Sequence, residues 1–336
     1  MKIAVLRALQ LGDLLCAVPA LRALDAAYPG AHITLIGLPW ARAFAARFRR
    51  YIDDFLEFPG FPGMPERAVG DVPAFFRIAR QRKFDLALQM HGSGGFTNPL
   101  TVLVGARQNA GFYLRDGYRP DPERFIEWRD GEHEVRRYLR LLAHLGVPSK
   151  GAQLEFPLDP SDWRELGSFG LSDKSYAVVH PGSQLPSRRW PAERFAEVAD
   201  ALAREGLRIV LTGTRHEAFL IEKIKTSMRE PALDLSGRTT LGGLAALIAS
   251  ARLLVCNDTG VSHVAAAMRT PSVVIACGSD PQRWAPLERG LHRVLYREIG
   301  CRPCAHRECP IGHPCALGVS VHEVLNETHR LVACAA

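Results

Sequence analysis

A chain of 336 residues, 47% hydrophobic and 23% charged, has the length for two domains with sizeable cores and the composition of a globular protein. Its longest apolar runs are short and interrupted, which excludes a membrane-spanning helix, and its first residues lack the pattern of a secretory signal, so a cytoplasmic location is expected. The formal charge of +7 calls for an acidic partner such as a phosphorylated sugar or an anionic membrane face; with no basic tract interleaved with aromatics, a nucleic acid is not expected.

The run KIAVLRA reads as a strand, followed by the turn LQLGD and a helix through LLCAVPALRALDAAY with Leu14, Val18 and Leu21 on one face. HITLIGL is a second strand and PWARAFAARF a helix. FDLALQM is another strand, ending in the glycine-rich turn His91-Gly92-Ser93-Gly94-Gly95. HEVRRYLRLLAHLG is an amphipathic helix closed by Gly146, and the proline-bearing VPSKGAQLEFPLDPSD reads as a linker.

The alternation then restarts: strand YAVVHPGS, helix PAERFAEVADALAREG, strand LRIVLTGT, helix HEAFLIEKIKTSM, then TLGGLAALIASA and the strand LLVCND. A helix carrying His263 leads to the strand VVIACG, and VSVHEVLNETHRLV is the last helix. Repeated βα units on both sides of a linker predict an α/β protein of two doubly wound, Rossmann-like domains facing across a cleft, 1–155 and 156–316. Packing back towards the N-terminal domain is one arrangement for the C-terminal helix within 317–336.

Polar residues stand where these strands end. In CNDTGVSHVAAAMRTP, Asp258, Thr259 and Gly260 lie between an apolar strand and a helix, and His263 falls in the first turn. Free N–H groups at such a helix start, with the helix dipole, suit a diphosphate. Read alone, Asp258 is equally a simple helix cap and His263 a surface histidine. HPGSQLPSRRWP supplies Gly182, Ser183, Arg188 and Arg189, whose guanidinium groups can grip phosphate oxygens bidentately. LTGTRHEAF places Glu217 past a third strand end, where a carboxylate can accept from ribose hydroxyls. The first turn holds only Gly12 before its helix, so the G-x-G-x-x-G dinucleotide fingerprint is absent and a nicotinamide-dependent dehydrogenase is excluded. Asp13 at that helix start can take a proton from an attacking hydroxyl, or simply complement the helix dipole.

These residues carry a family resemblance. Over nearly its full length the chain resembles the glycosyltransferase family 9 heptosyltransferases, which build the inner core of lipopolysaccharide. The resemblance rests on GDLLCAVPALRAL, HPGS with RRWP, GTRHE, TTLGGLAALIASARLLVCNDTGVSHVAAA and CRPCAHRECPIGHPCALGVSVHEV. It implies a GT-B fold and an inverting transfer from a nucleotide-diphosphate sugar, usually ADP-L-glycero-D-manno-heptose, to a Kdo/heptose–lipid A core acceptor, with no cofactor needed for catalysis. It makes 1–155 the acceptor domain and 156–316 the nucleotide-sugar domain. It also makes Asp13 the base and sets Asp258, Thr259, Gly260 and His263 on the diphosphate. Glu217 falls on the ribose, Gly182 and Ser183 on the phosphate side, and Thr239 with the donor set. Arg7 takes a basic position near both the acceptor and the base, and Gly12 and Arg136 join it on the acceptor side. Arg188 stands where familiar members carry a lysine; it keeps the charge that stabilises the leaving diphosphate and is assigned with Asp13 to catalysis. Other readings are a transferase or epimerase for a different nucleotide sugar on the same scaffold, or a non-catalytic nucleotide-binding relative.

Two stretches remain. PWARAFAARFRRYIDDF joins Trp40, Phe44 and Phe48 to Arg42, Arg47, Arg49 and Arg50: either a helix with one core face and one solvated basic face, or a peripheral contact with the inner membrane or a phosphorylated lipid. Arg137 joins Arg136 as a candidate for acceptor phosphates, and QMHGSGG as lining for the acceptor cleft. Cys301, Cys304, Cys309 and Cys315 are close enough in sequence to hold a structural zinc or iron, or to remain reduced or redox-paired thiols.

Overall fold

Short aliphatic runs such as KIAVL, HITLIG and LALQ are buried at almost every position. That is the pattern of parallel strands covered by helices on both faces. A computed structural model, describing residues 1–62 and 69–334, shows the assembly. It divides into two units, Met1–Leu154 and Glu155–Ala336.

The first unit runs β1 (Lys2–Leu6), α1 (Leu11–Ala27), β2 (His32–Gly37), α2 (Ala41–Arg47), β3 (Asp54–Glu57), α3 (Val72–Gln81), β4 (Leu86–Gln89), α4 (Thr97–Leu103), β5 (Gln108–Tyr113), β6 (Phe125–Glu127) and α5 (Glu134–His144). Its six strands are parallel, in the order β3-β2-β1-β4-β5-β6. Ile3 pairs with Ile33 on one side and Leu86 on the other, so the chain starts in mid-sheet, winds outward, and returns to the far side of β1. The winding reverses between β1 and β4, and ligands of doubly wound sheets bind outside such a switch point.

The second unit runs α6 (Pro160–Gly167), β7 (Tyr176–His180), α7 (Ala192–Arg204), β8 (Arg208–Leu211), α8 (Ala218–Ser227), β9 (Ala232–Asp234), α9 (Leu241–Ser250), β10 (Leu253–Asn257), α10 (Gly260–Met268), β11 (Ser272–Ile275), α11 (Pro281–Trp284), β12 (His292–Leu295), α12 (Pro314–Leu317) and α13 (Val321–Cys334). Its parallel sheet, β12-β11-β10-β7-β8-β9, repeats the same winding with its switch point between β7 and β10. Val179, Phe195, Ile209, Val255 and Ile275 are among its fully buried core residues. The final helix α13 packs on α7, β10, β11 and β12, burying Val324 and Leu331 in that core.

The aromatic stretch at α2 resolves as core. Phe44 and Phe48 are both fully buried, stacked with ring centroids 4.3 Å apart, while Arg42 is exposed beside the Phe55 ring and Glu57. The alternative in which these aromatics meet a membrane is corrected: seven residues of helix cannot both fill the space over β2 and β3 and present the same rings outward. No helix of the described residues is long and apolar enough to cross a membrane. Because Phe48 is fully buried and stacked on Phe44, Phe48→Ala should cost about 3–5 kcal/mol. The signature is a lower denaturant midpoint with an unchanged slope.

Candidate functional site

At the switch point of the first sheet, Arg7 directly follows β1 and α1 begins four residues later, with Asp13 in its first turn. Asp13 Oδ2 accepts from the backbone N–H of Gln10 at 3.2 Å, closing a capping box, and Oδ1 accepts from Arg7 Nη2 at 2.7 Å. Arg7 is wholly buried. It also donates from Nη1 to the Met90 carbonyl at 2.7 Å and from Nη2 to Glu134 Oε1 at 3.0 Å. Glu134, at the start of α5, accepts in addition from Arg137 Nη1 and the Tyr138 hydroxyl. Burial opposes the charge on Arg7, yet the Asp13 and Glu134 carboxylates beside it hold the guanidinium above its ordinary pKa. Tyr138 is pushed far up by burial and remains a hydroxyl donor. His91, at the end of β4, accepts the Ala8 N–H on Nδ1 at 3.1 Å, which assigns the ring proton to Nε2. Burial, then Arg7, pulls its pKa down to about 3, so the ring is neutral.

At the switch point of the second sheet, β10 delivers Asp258 and Thr259, and α10 starts at Gly260. The Ser262 N–H turns back to the Thr259 carbonyl at 3.0 Å, and the N–H groups of Gly260 and Val261 ahead of it have no carbonyl of their own helix to bond, an arrangement that suits an anion. His263 is buried in that turn, its ring 6.3 Å from Trp284. On the neighbouring strand, Gly182 follows β7 with the Glu217 carboxylate lying where its side chain would be: a Cβ there would lie 2.3 Å from Glu217 Oε1. Two residues far apart in sequence are thereby brought into contact, Glu217 being held from its other oxygen by the N–H and hydroxyl of Thr214, each at 2.8 Å. Thr239 precedes α9, whose cap is its neighbour Thr240.

Arg188 closes a 3-10 turn, Pro186–Arg188, over which the segment 301–313 folds. Ser187 donates from N to the Arg307 carbonyl (3.0 Å) and from Oγ to the His306 carbonyl (2.6 Å), and Arg188 Nη2 donates to the Cys304 carbonyl (3.1 Å). His313 Nε2 is 2.8 Å from the Ser187 carbonyl, and Cys304 N donates to the Gly278 carbonyl at 2.7 Å.

Three expectations are corrected by these contacts. Arg7 and Arg137 are wholly buried and engaged with carboxylates and carbonyls, so they do not present donors to an acceptor in this structure; Arg136, one residue earlier on α5, is exposed. The cysteines do not assemble as ligands: Cys301 is exposed, Cys304 and Cys315 are buried, and the Cys309 sulfur accepts from the His313 N–H. Among the described residues no three His, Cys, Asp or Glu side chains are placed to hold a metal ion, and the seven described cysteines are free thiols. One residue of consequence escapes a sequence reading. Asn257, fully buried at the end of β10, accepts the Trp190 N–H at 2.9 Å and donates to the Pro181 carbonyl at 2.7 Å, fastening the turns on either side of the switch point to each other. A polar amide closing an all-apolar strand, LLVCN, was the available signal.

Two doubly wound units with polar strand ends define a class of α/β protein that hosts many activities, and comparison with known proteins narrows it. Residues 72–314 match the family model of glycosyltransferase family 9 (heptosyltransferase). The lipopolysaccharide heptosyltransferase 2 of Escherichia coli strain K12 is 27% identical, the alignment covering 99% of each chain. The structure of E. coli ADP-heptose lipopolysaccharide heptosyltransferase II superposes with a TM-score of 0.79 at 22% identity, covering 100% of this chain and 99% of that one. A family 9 glycosyltransferase from Veillonella parvula DSM 2008 also reaches 0.79, at 24% identity over 99% and 97% of the two chains. The chain belongs to glycosyltransferase family 9, with the GT-B fold of that family, and is a glycosyltransferase.

Two expected outcomes follow from the strand ends. Asn257→Ala leaves a buried N–H and a buried carbonyl unpaired, and should cost about 2–4 kcal/mol in urea unfolding. His91 has its folded pKa below its unfolded value, so the unfolded chain takes up the proton first and stability falls as pH drops from about 6.5 towards about 3. His91→Asn, which can still accept the Ala8 N–H, should flatten unfolding free energy against pH in that window by up to about 1.4 kcal/mol per pH unit.

Proposed function

We propose that this transferase moves a heptose from ADP-L-glycero-D-manno-heptose to a sugar hydroxyl of the lipopolysaccharide core, inverting the anomeric centre. The observation that carries the donor half is the second switch point. There Asp258, Thr259 and the N–H groups of Gly260 and Val261 at the start of α10 adjoin the Gly182 turn, which Glu217 touches directly. The α10 N–H groups, with Arg188 and His263, receive the diphosphate, and Glu217 offers its less engaged oxygen to ribose hydroxyls.

The reaction is a single displacement. The acceptor oxygen attacks the anomeric carbon as its proton passes to the Asp13 carboxylate, the bond from that carbon to the diphosphate oxygen breaks, and ADP departs carrying the electron pair. Arg188 and the α10 N-terminus stabilise the charge that develops on the diphosphate, a role that calls for no catalytic metal. Arg7 serves Asp13 rather than the acceptor, and Gly12 and exposed Arg136 are left to the acceptor side. The excess positive charge fits an anionic acceptor met at the cytoplasmic face of the inner membrane, with peripheral attachment.

Calorimetric titration with ADP, UDP and GDP in EDTA tests the donor. ADP alone should bind, and Asp258→Ala should lose that binding; preference for UDP or GDP would overturn the ADP-heptose assignment. Asp13→Asn should bind ADP as the wild type does while kcat falls by about 10²–10⁴.

A further inference from the structure

Asp13 does not have Arg7 to itself. A single nitrogen, Arg7 Nη2, lies 2.7 Å from Asp13 Oδ1 and 3.0 Å from Glu134 Oε1, so one cation is divided between two carboxylates from different helices. We propose that Glu134 is a positioning residue that sets the strength of the Asp13 base by competing with it for Arg7. The proposal rests on Asp13 being the base.

Glu134 is fully buried, and burying a carboxylate is costly where aliphatic side chains would pack as well. The same helix α5 packs on α1 and buries Val135, Leu141 and Leu142, so packing alone does not require a charge at 134. What the charge does is electrostatic. A permanent guanidinium beside a lone Asp13 would stabilise its carboxylate and weaken it as a proton acceptor. With half of Arg7 engaged by Glu134, Asp13 keeps orientation from the guanidinium and more of its basicity. Glu134 is in turn held by Arg137, whose guanidinium lies 3.7 Å over the Trp128 ring, and by the Tyr138 hydroxyl, so its hold on Arg7 is tempered by these other donors.

The groups facing the Arg7–Asp13 pair come from several elements. The Gln10 N–H comes from the cap of α1 and Cys16 from one turn along it; neutral His91 closes β4; Glu134, Arg137 and Tyr138 come from α5, and Glu132 precedes that helix within 3.8 Å of Arg137. His91 carries no charge above pH 3 or so, which leaves Glu134 as the carboxylate that contacts Arg7 opposite Asp13.

The test is kcat and kcat/KM against pH, with ADP-heptose and heptose-deficient lipopolysaccharide, for wild type, Glu134→Gln, Tyr138→Phe and Asp13→Asn. Glu134→Gln keeps the shape and removes the competing charge. Its acid limb should move to lower pH and its kcat fall by about tenfold, while KM for ADP-heptose stays within about twofold. Tyr138→Phe leaves Glu134 with one donor fewer and a stronger hold on Arg7, so its acid limb should move the opposite way. Folded variants whose profiles superimpose on the wild type would overturn the proposal. Should Glu134→Gln fail to fold, Tyr138→Phe decides the question by the direction of its shift. An Asp13→Asn enzyme with wild-type kcat would instead overturn the base assignment, an outcome separate from the other two.

Discussion

A parallel strand leaves its last carbonyls and the turn that follows it at the same edge as its neighbours' turns, and a doubly wound sheet opens a gap at that edge where its winding reverses. Both units obey this constraint, and their chemically interesting residues are consequences of it. Asp13 and His91 follow the two strands that flank one reversal, and Gly182 and Asp258 follow the two that flank the other. Because β1 and β7 each begin in mid-sheet, the first polar residue after each opening strand is committed to the site by topology.

The two edges solve different electrostatic problems. The first is ruled by ionised side chains: Arg7, Glu134 and Arg137 are buried beside one another, and Arg7 holds Asp13 in a fixed direction. The second relies largely on backbone: the start of α10 lies beside the Gly182 turn, buried Asn257 ties that turn to Trp190, and Arg188 supplies a side-chain charge. An acceptor hydroxyl needs a base of adjusted strength, whereas a diphosphate needs many fixed donors and little else.

Much of this was legible from the chain. Strands buried on both faces announce themselves as unbroken aliphatic runs, and the alternation of LRIVLTGT, LLVCND and VVIACG with helices led directly to two doubly wound domains. Less legible were β3, β5 and β6, whose runs DFLE, QNAGFY and FIE are too short and too polar to stand out from turns. At the site, Asp13 and Asp258 could be placed because each follows a strand and opens a helix. The burial of Arg7 and Arg137 could not, since arginine on a strand end or a helix normally reaches solvent and only the three-dimensional arrangement of Glu134 beneath them reverses that expectation. The α2 aromatics were ambiguous for a related reason: alternating aromatic and basic residues look alike on a membrane-facing helix and on a core helix with a wet side.

The hold of the segment 301–313 on the Pro186–Arg188 turn runs mainly through its main-chain atoms: the Cys304 carbonyl accepts from Arg188, the His306 and Arg307 carbonyls accept from Ser187, and the Cys304 N–H anchors the segment to the Gly278 carbonyl. Main-chain atoms are the same whatever side chain a residue carries. Ala305, His306 and Arg307 can therefore drift in identity over evolutionary time while the guanidinium stays where it is. A single inserted or deleted residue would shift every carbonyl by one place, so the segment is constrained in length far more tightly than in spelling.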